Sequence, residues 1–141
     1  MRIMAIDYGD AHTGIAISDP TGLLAGFTTV INAYRPDRVT GQIALLAKEH
    51  RVERLVLGHP INMDGTRGPR SEKAQAMRQL LKETTGLPVV LWDERRTTID
   101  AHNILFNSGK NAKQRKKVVD AVAASLILEG YLTYLKTHPE G

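Results

Sequence analysis

An α/β fold is what this sequence predicts: a mixed five-stranded sheet, an antiparallel meander followed by parallel strands, flanked by helices. Two observations carry the prediction. The first third of the chain holds three short apolar runs separated by turn residues, as hairpin-linked strands do. The remainder alternates stretches of helical apolar period with short apolar runs bounded by Gly and Pro, which implies strands laid parallel with helices on the sheet faces.

Arg2 to Asp7 reads Arg-Ile-Met-Ala-Ile-Asp and suits a buried central strand. A turn over Tyr8 to Thr13 leads into a second strand at Gly14 to Asp19, and Pro20-Thr21-Gly22 is turn chemistry before a third strand at Gly26 to Ile31. A helix begins near Pro36, where a first-turn proline is tolerated. Val39, Ile43, Leu46 and Ala47 form its stripe, and Gly41 weakens it. Arg54 to Gly58 is a buried strand, and His59 to Gly68 has the composition of a loop. Pro69 to Glu83 is a second helix with Ala74, Met77, Leu80 and Leu81 inward, and Leu87 to Trp92 is the fifth strand. Thr97 to Phe106 reads as a short helix, Ser108 to Lys117 as a polar basic loop, and Val118 to Leu135 as a long final helix before a frayed tail.

The 141 residues fit one domain spanning 1–141, without internal repeats or a low-complexity linker. With no cysteine, disulfides and thiolate metal sites are excluded, so any metal must be held by hard ligands, which favours Mg2+ or Mn2+. Asp7 interrupts the N-terminal apolar run too early for a secretion signal or a membrane span, so no membrane association and a cytoplasmic location are expected. A formal charge of +4 points weakly to a polyanionic partner.

Three acids carry the candidate chemistry: Asp7, Glu94 and Asp120. Asp7 ends a buried strand, where an acid is costly to place without a partner, although taken alone it reads first as a turn former capping the hairpin. Asp93-Glu94 ends another apolar strand, and alternation lets only one of the pair share the inward face; a solvated pair balanced by Arg95 and Arg96 is the other reading. Asp120 reads as an acid in the first turn of the final helix, favoured there by the macrodipole by about 0.3–1 kcal/mol. Yet apolar and small residues surround it up to Leu128, which places it at the edge of a core. Together, acids at two strand ends and one helix start repel one another unless a divalent cation bridges them, and such sites hydrolyse phosphodiesters.

Lys110, Lys113, Arg115, Lys116 and Lys117 put five cations in eight positions with no acid among them, either a solvated loop or a phosphate contact. Arg67 and Arg70 flank Pro69 at a helix start, a phosphate-binding arrangement if not merely exposed, and Arg95 can hold a phosphate or neutralise a carboxylate. Asp10 and Asp19 read as turn residues, Asp64 as part of a tight turn, Thr97 and Thr98 as a capping segment and Trp92 as core. His59 is either packed or a proton shuttle. The other histidines lack metal-ligand spacing, and 5% aromatic content argues against recognition mainly by base stacking.

Asp7-Tyr8-Gly9 with Gly14 to Asp19, Gly58-His59-Pro60-Ile61-Asn62-Met63-Asp64-Gly65, Asp93-Glu94-Arg95-Arg96-Thr97-Thr98, and Asp120 to Ala124 with Ile127 to Leu132 are four ordered blocks along nearly the whole chain. In these the chain resembles the YqgF family, Holliday junction resolvase-like proteins of the RNase H-like (RuvC-like) superfamily. His59 stands where the family usually has Leu, Glu129 where Gln is frequent, and Arg96 where Leu is common; none touches the acid trio. The resemblance implies an RNase H-like fold with metal-binding catalytic acids at Asp7, Glu94 and Asp120. It also implies a metal-dependent endonuclease that processes the 5′ end of pre-16S rRNA. The alternatives are a resolvase-type DNA nuclease, which demands a homodimer rather than a monomer, and a non-catalytic nucleic-acid binding module. A nucleotide-phosphate enzyme ranks last, because enzymes of that kind close two such domains over the nucleotide.

Overall fold

The computed structural model describes residues 1–21, 25–59, 68–93 and 112–138, with side chains for all of these but 25 and 112–120. Strands β1 (Ile3–Asp7), β2 (His12–Ser18), β3 (Ala25–Asn32), β4 (Arg54–His59) and β5 (Val89–Asp93) form one sheet in the order β3-β2-β1-β4-β5. β1 pairs antiparallel with β2 and β2 with β3, while β1–β4 and β4–β5 are parallel. The mixed five-stranded sheet expected from the sequence is therefore present, and β1 lies at its centre, where the chain switches from building on one side to building on the other.

Alternation along β1 divides the core. Met4 and Ile6 point to one face, where they meet Ile15, Ile17, Leu55 and Leu57 under helices α1 (Pro36–Glu49) and α2 (Pro69–Thr85). Ile3 and Ala5 point to the other face and pack with Ala16, Val56 and Trp92 under α3 (Ala112–Thr137). The buried residues Ala124, Ile127, Leu128 and Tyr131 recur at the spacing that keeps one helical stripe on the sheet. Trp92 is core, as expected, with its ring edge-on to Tyr131 at 5.8 Å between centroids. α2 ends on Gly86 at φ +72°, a left-handed conformation that glycine adopts without a Cβ penalty.

Several boundaries differ from the sequence reading. β2 starts at His12, two residues early, because its pairing to β3 extends to His12–Asn32. β5 starts after Pro88, whose ring nitrogen cannot donate to the ladder, and includes Asp93. His59 is the last residue of β4 rather than the start of a loop. The largest correction concerns Ser108 to Lys117: α3 begins at Ala112, so Lys113, Arg115, Lys116 and Lys117 stand on its first two turns. The stretch has no apolar period to betray a helix, but Ala, Lys, Gln and Arg are all strong helix formers. Asp120 is consequently the ninth residue of α3 and not part of its first turn, which removes the macrodipole explanation for an acid there. The expected helix at Thr97 to Phe106 lies outside the described residues.

Candidate active site

Asp7 closes β1 at the carboxyl end of the sheet. Beyond the Ile6–Leu57 pair, the ends of the parallel neighbours β1 and β4 bring Asp7 and Gly58 to one cleft, at the point where the strand order reverses. That crevice is where ligands gather in open α/β sheets. Its other walls are Tyr8 and Asp10 from the β1–β2 turn, and Arg70, Lys73 and Ala74 from the start of α2. Asp7 is half-buried, so its carboxylate faces the cleft without being sealed from it.

The turn that carries Tyr8 and Asp10 depends on Gly9. A Cβ there would run into the backbone carbonyl oxygen of His12, and both atoms belong to the main chain. The close approach brings the chain back into β2 within five residues, leaving Tyr8 and Asp10 directed toward α2.

The start of α2 is placed by a buried hydrogen bond, 2.6 Å between His59 Nε2 and Ser71 Oγ. Both side chains are buried, and the bond ties the last residue of β4 to the third residue of the helix. His59 is thus a packed positioning residue. On the helix so fixed, Arg70 and Lys73 stand one turn apart and converge on Asp10, at 3.9 Å and 3.4 Å. All three side chains are largely exposed, so these ion pairs add little stability. Cations at the positive end of a helix dipole do not favour the helix either, and Glu72 offsets them only from an exposed position. What the arrangement does provide is two cations and the helix N-terminus beside the cleft that holds Asp7, a setting suited to a phosphate. Burial pushes the Tyr8 hydroxyl above its ordinary pKa, with Lys73 opposing and Asp10 reinforcing, so Tyr8 offers a neutral hydroxyl at the cleft edge.

Of the residues expected at the site, Asp7 and Arg70 meet in this cleft. Glu94, Arg67, Arg95 and Lys110 lie outside the described residues. Asp120, Lys113, Arg115, Lys116 and Lys117 are placed by backbone only, with position 120 one turn before the buried Ala124. Asp10 is more than a turn former, since it is the anion that Arg70 and Lys73 converge on; Asp19 does cap its turn, accepting from Thr21 Oγ1 at 2.7 Å. The sequence alone does not single out Lys73 and Tyr8. The three-residue spacing from Arg70 was the available signal for Lys73.

The sequence profile of the RuvX family, described as Holliday junction resolvase, matches residues 1–134. The chain belongs to the RuvX family. Among RuvX-like relatives, a Halothermothrix orenii protein is 43% identical over 134 residues, covering 95% of this chain and 96% of its own length. One from Bacillus subtilis is 42% identical over 137 residues, covering 96% and 99%. Both are named "Putative pre-16S rRNA nuclease". The fold is that of RNase H-like resolvases. RuvC of T. thermophilus, solved with a Holliday junction substrate, superposes with a TM-score of 0.63 at 16% identity over 95% of this chain and 96% of that one. The yeast mitochondrial Holliday junction resolvase Ydc2 gives 0.53 at 11% over 98% and 81%. RuvX membership makes this chain a nuclease-family hydrolase acting on nucleic acid, and nucleases of this kind generally use divalent metal ions. Among the described residues, no helix is long and apolar enough to cross a membrane.

Proposed function

We propose that the chain is a divalent-metal-dependent endonuclease that processes the 5′ end of pre-16S rRNA, with Asp7, Glu94 and Asp120 as its catalytic acids and Mg2+ or Mn2+ as its cofactor. The observation that carries the reading is the position of Asp7: a half-buried carboxylate at the carboxyl end of the central strand, in a cleft flanked by Arg70 and Lys73. The name shared by relatives about 40% identical over nearly their full length supports RNA as the substrate.

Hard carboxylate oxygens and the absence of thiols fit a small divalent cation, and the open cleft leaves Asp7 accessible to one. Asp7 would hold the cation from β1, Glu94 from the residue after β5, and Asp120 from α3, one turn before the helix meets the sheet at Ala124. When bound, such ions activate water and stabilise the leaving oxygen in phosphodiester hydrolysis. The chain's own contribution is to position the strand: Arg70 and Lys73 bind the phosphate backbone, and His59 with Ser71 keeps the turn that carries them in place. The basic turns of α3, Lys113 to Lys117, with Lys110, Arg67 and Arg95, extend the contact to neighbouring phosphates.

The test is cleavage of a precursor rRNA leader and, in parallel, a four-way DNA junction, each with Mg2+ or Mn2+ and with chelator. Wild-type protein is expected to cut the RNA only with metal, and Asp7→Asn to lose cutting while its thermal midpoint stays close to wild type. Cleavage surviving in Asp7→Asn would sink the site assignment, and cutting of the junction alone would overturn the RNA assignment.

A further inference from the structure

Past Tyr8, Asp10 and Lys73, the Asp7 cleft opens into a larger depression of about 450 Å³ between the chain entering α1 and the side of α2 that carries Lys73, Ala76, Met77 and Leu80. Its size is that of a small-molecule site, which runs to about 300–1,000 Å³. Tyr34 and Pro36 form one wall, and Ala76, Met77 and Leu80 the other. We infer that this depression seats one unpaired base of the substrate strand beside the scissile phosphate, stacked on Tyr34. The inference rests on the reading of Asp7 as the catalytic end of the cleft.

Three features select a base. The depression adjoins the Asp7 cleft and shares Tyr8, Asp10 and Lys73 with it, so a strand with its phosphate at Asp7 has a path for its next nucleoside over this rim. Lys73 stands at the junction of the two hollows, where a phosphate linking them would lie. Tyr34 is 81% exposed, the most exposed large apolar side chain among the described residues, whereas Trp92 and Tyr131 are spent in the core. An aromatic face left in water beside a polar rim is what base stacking uses. One exposed ring, with the half-buried Tyr8 at the rim, serves one base and not a run of them, in keeping with the low aromatic content. A base inside a continuous duplex is stacked on its neighbours and cannot enter, so the substrate class is RNA that is single-stranded or bulged at the cut.

The probe is short single-stranded RNA carrying one 2-aminopurine, titrated into Asp7→Asn protein and read by fluorescence, with Tyr34→Ala and Tyr34→Phe made in the same background. One stacked base is worth about five- to 150-fold in affinity. Tyr34→Ala is expected to weaken binding within that range and abolish the 2-aminopurine signal change, and Tyr34→Phe to restore both. An abasic site at the responsive position should cost the Tyr34 protein a similar factor and the Tyr34→Ala protein nothing further. Equal affinity in Tyr34→Ala, or an abasic loss that persists unchanged in it, overturns the inference. So does a concentration-dependent dimer that Tyr34→Ala dissociates, since a second copy would then fill the depression. These readouts need no cleavage, so failure of the catalytic assignment, seen as cutting by Asp7→Asn, is distinguishable from failure of the base site. Tyr34 is exposed, and an unchanged thermal midpoint confirms that the variants fold.

Discussion

Replacing Gly9 by Ala should damage both the fold and the site, and the structure sets the size of each effect. The new Cβ would overlap the His12 carbonyl oxygen, a backbone atom that cannot rotate away. The β1–β2 turn must open instead, and forced repacking of this kind costs about 1–3 kcal/mol. At about 2–4 °C per kcal/mol for a domain of this size, the thermal midpoint falls by about 2–12 °C. The turn also carries Tyr8 and Asp10 and follows directly on Asp7. A displacement of about 1 Å there can cost on the order of 100-fold in rate, more than the stability loss alone explains below the melting temperature. Gly41→Ala is the internal control. Gly41 lies within α1 with nothing within 4 Å of the position its Cβ would take, so the substitution should stabilise by about 0.5–1 kcal/mol and leave cleavage unchanged. Circular-dichroism melts and initial cleavage rates, measured well below both midpoints, separate the two effects. A Gly9→Ala protein with wild-type midpoint and rate would refute the steric argument, and one that is destabilised but fully active would refute the link between this turn and the site.

Lys73→Ala should weaken binding to single-stranded RNA and reduce the slope of log affinity against log salt by about 0.7, the contribution of one phosphate contact; an unchanged slope would place Lys73 off the nucleic-acid path. Ser71→Ala removes a buried partner of His59 and should cost about 1–3 kcal/mol in chemical denaturation, with a further drop in cleavage as the first turn of α2 loosens. Tyr131→Phe removes the 2.8 Å hydrogen bond that Arg54 donates to the Tyr131 hydroxyl from β4 to α3, and should cost about 1.5–3 kcal/mol without changing the metal dependence of cleavage.

The sequence by itself determined the sheet, because its information is local. Alternation in Ile3 to Asp7, apolar runs bounded by turn residues, and Pro69 at a helix start each act over a few residues. Asp7 was legible for the same reason, as an acid at the end of an otherwise apolar strand. The basic run before Asp120 reads as a loop in the sequence, because helix-forming charged residues carry no apolar period, and Asp120 then falls in the first turn of the final helix instead of its third. Only the tertiary structure decided that Asp10, Arg70 and Lys73 share one cleft, and that His59 is fixed by Ser71 rather than free to move protons. Those residues lie up to 63 positions apart in the chain. They are joined by the parallel pairing of β1 with β4 and by the seating of α2 on the sheet, contacts set by packing across the core, which no short window of sequence records.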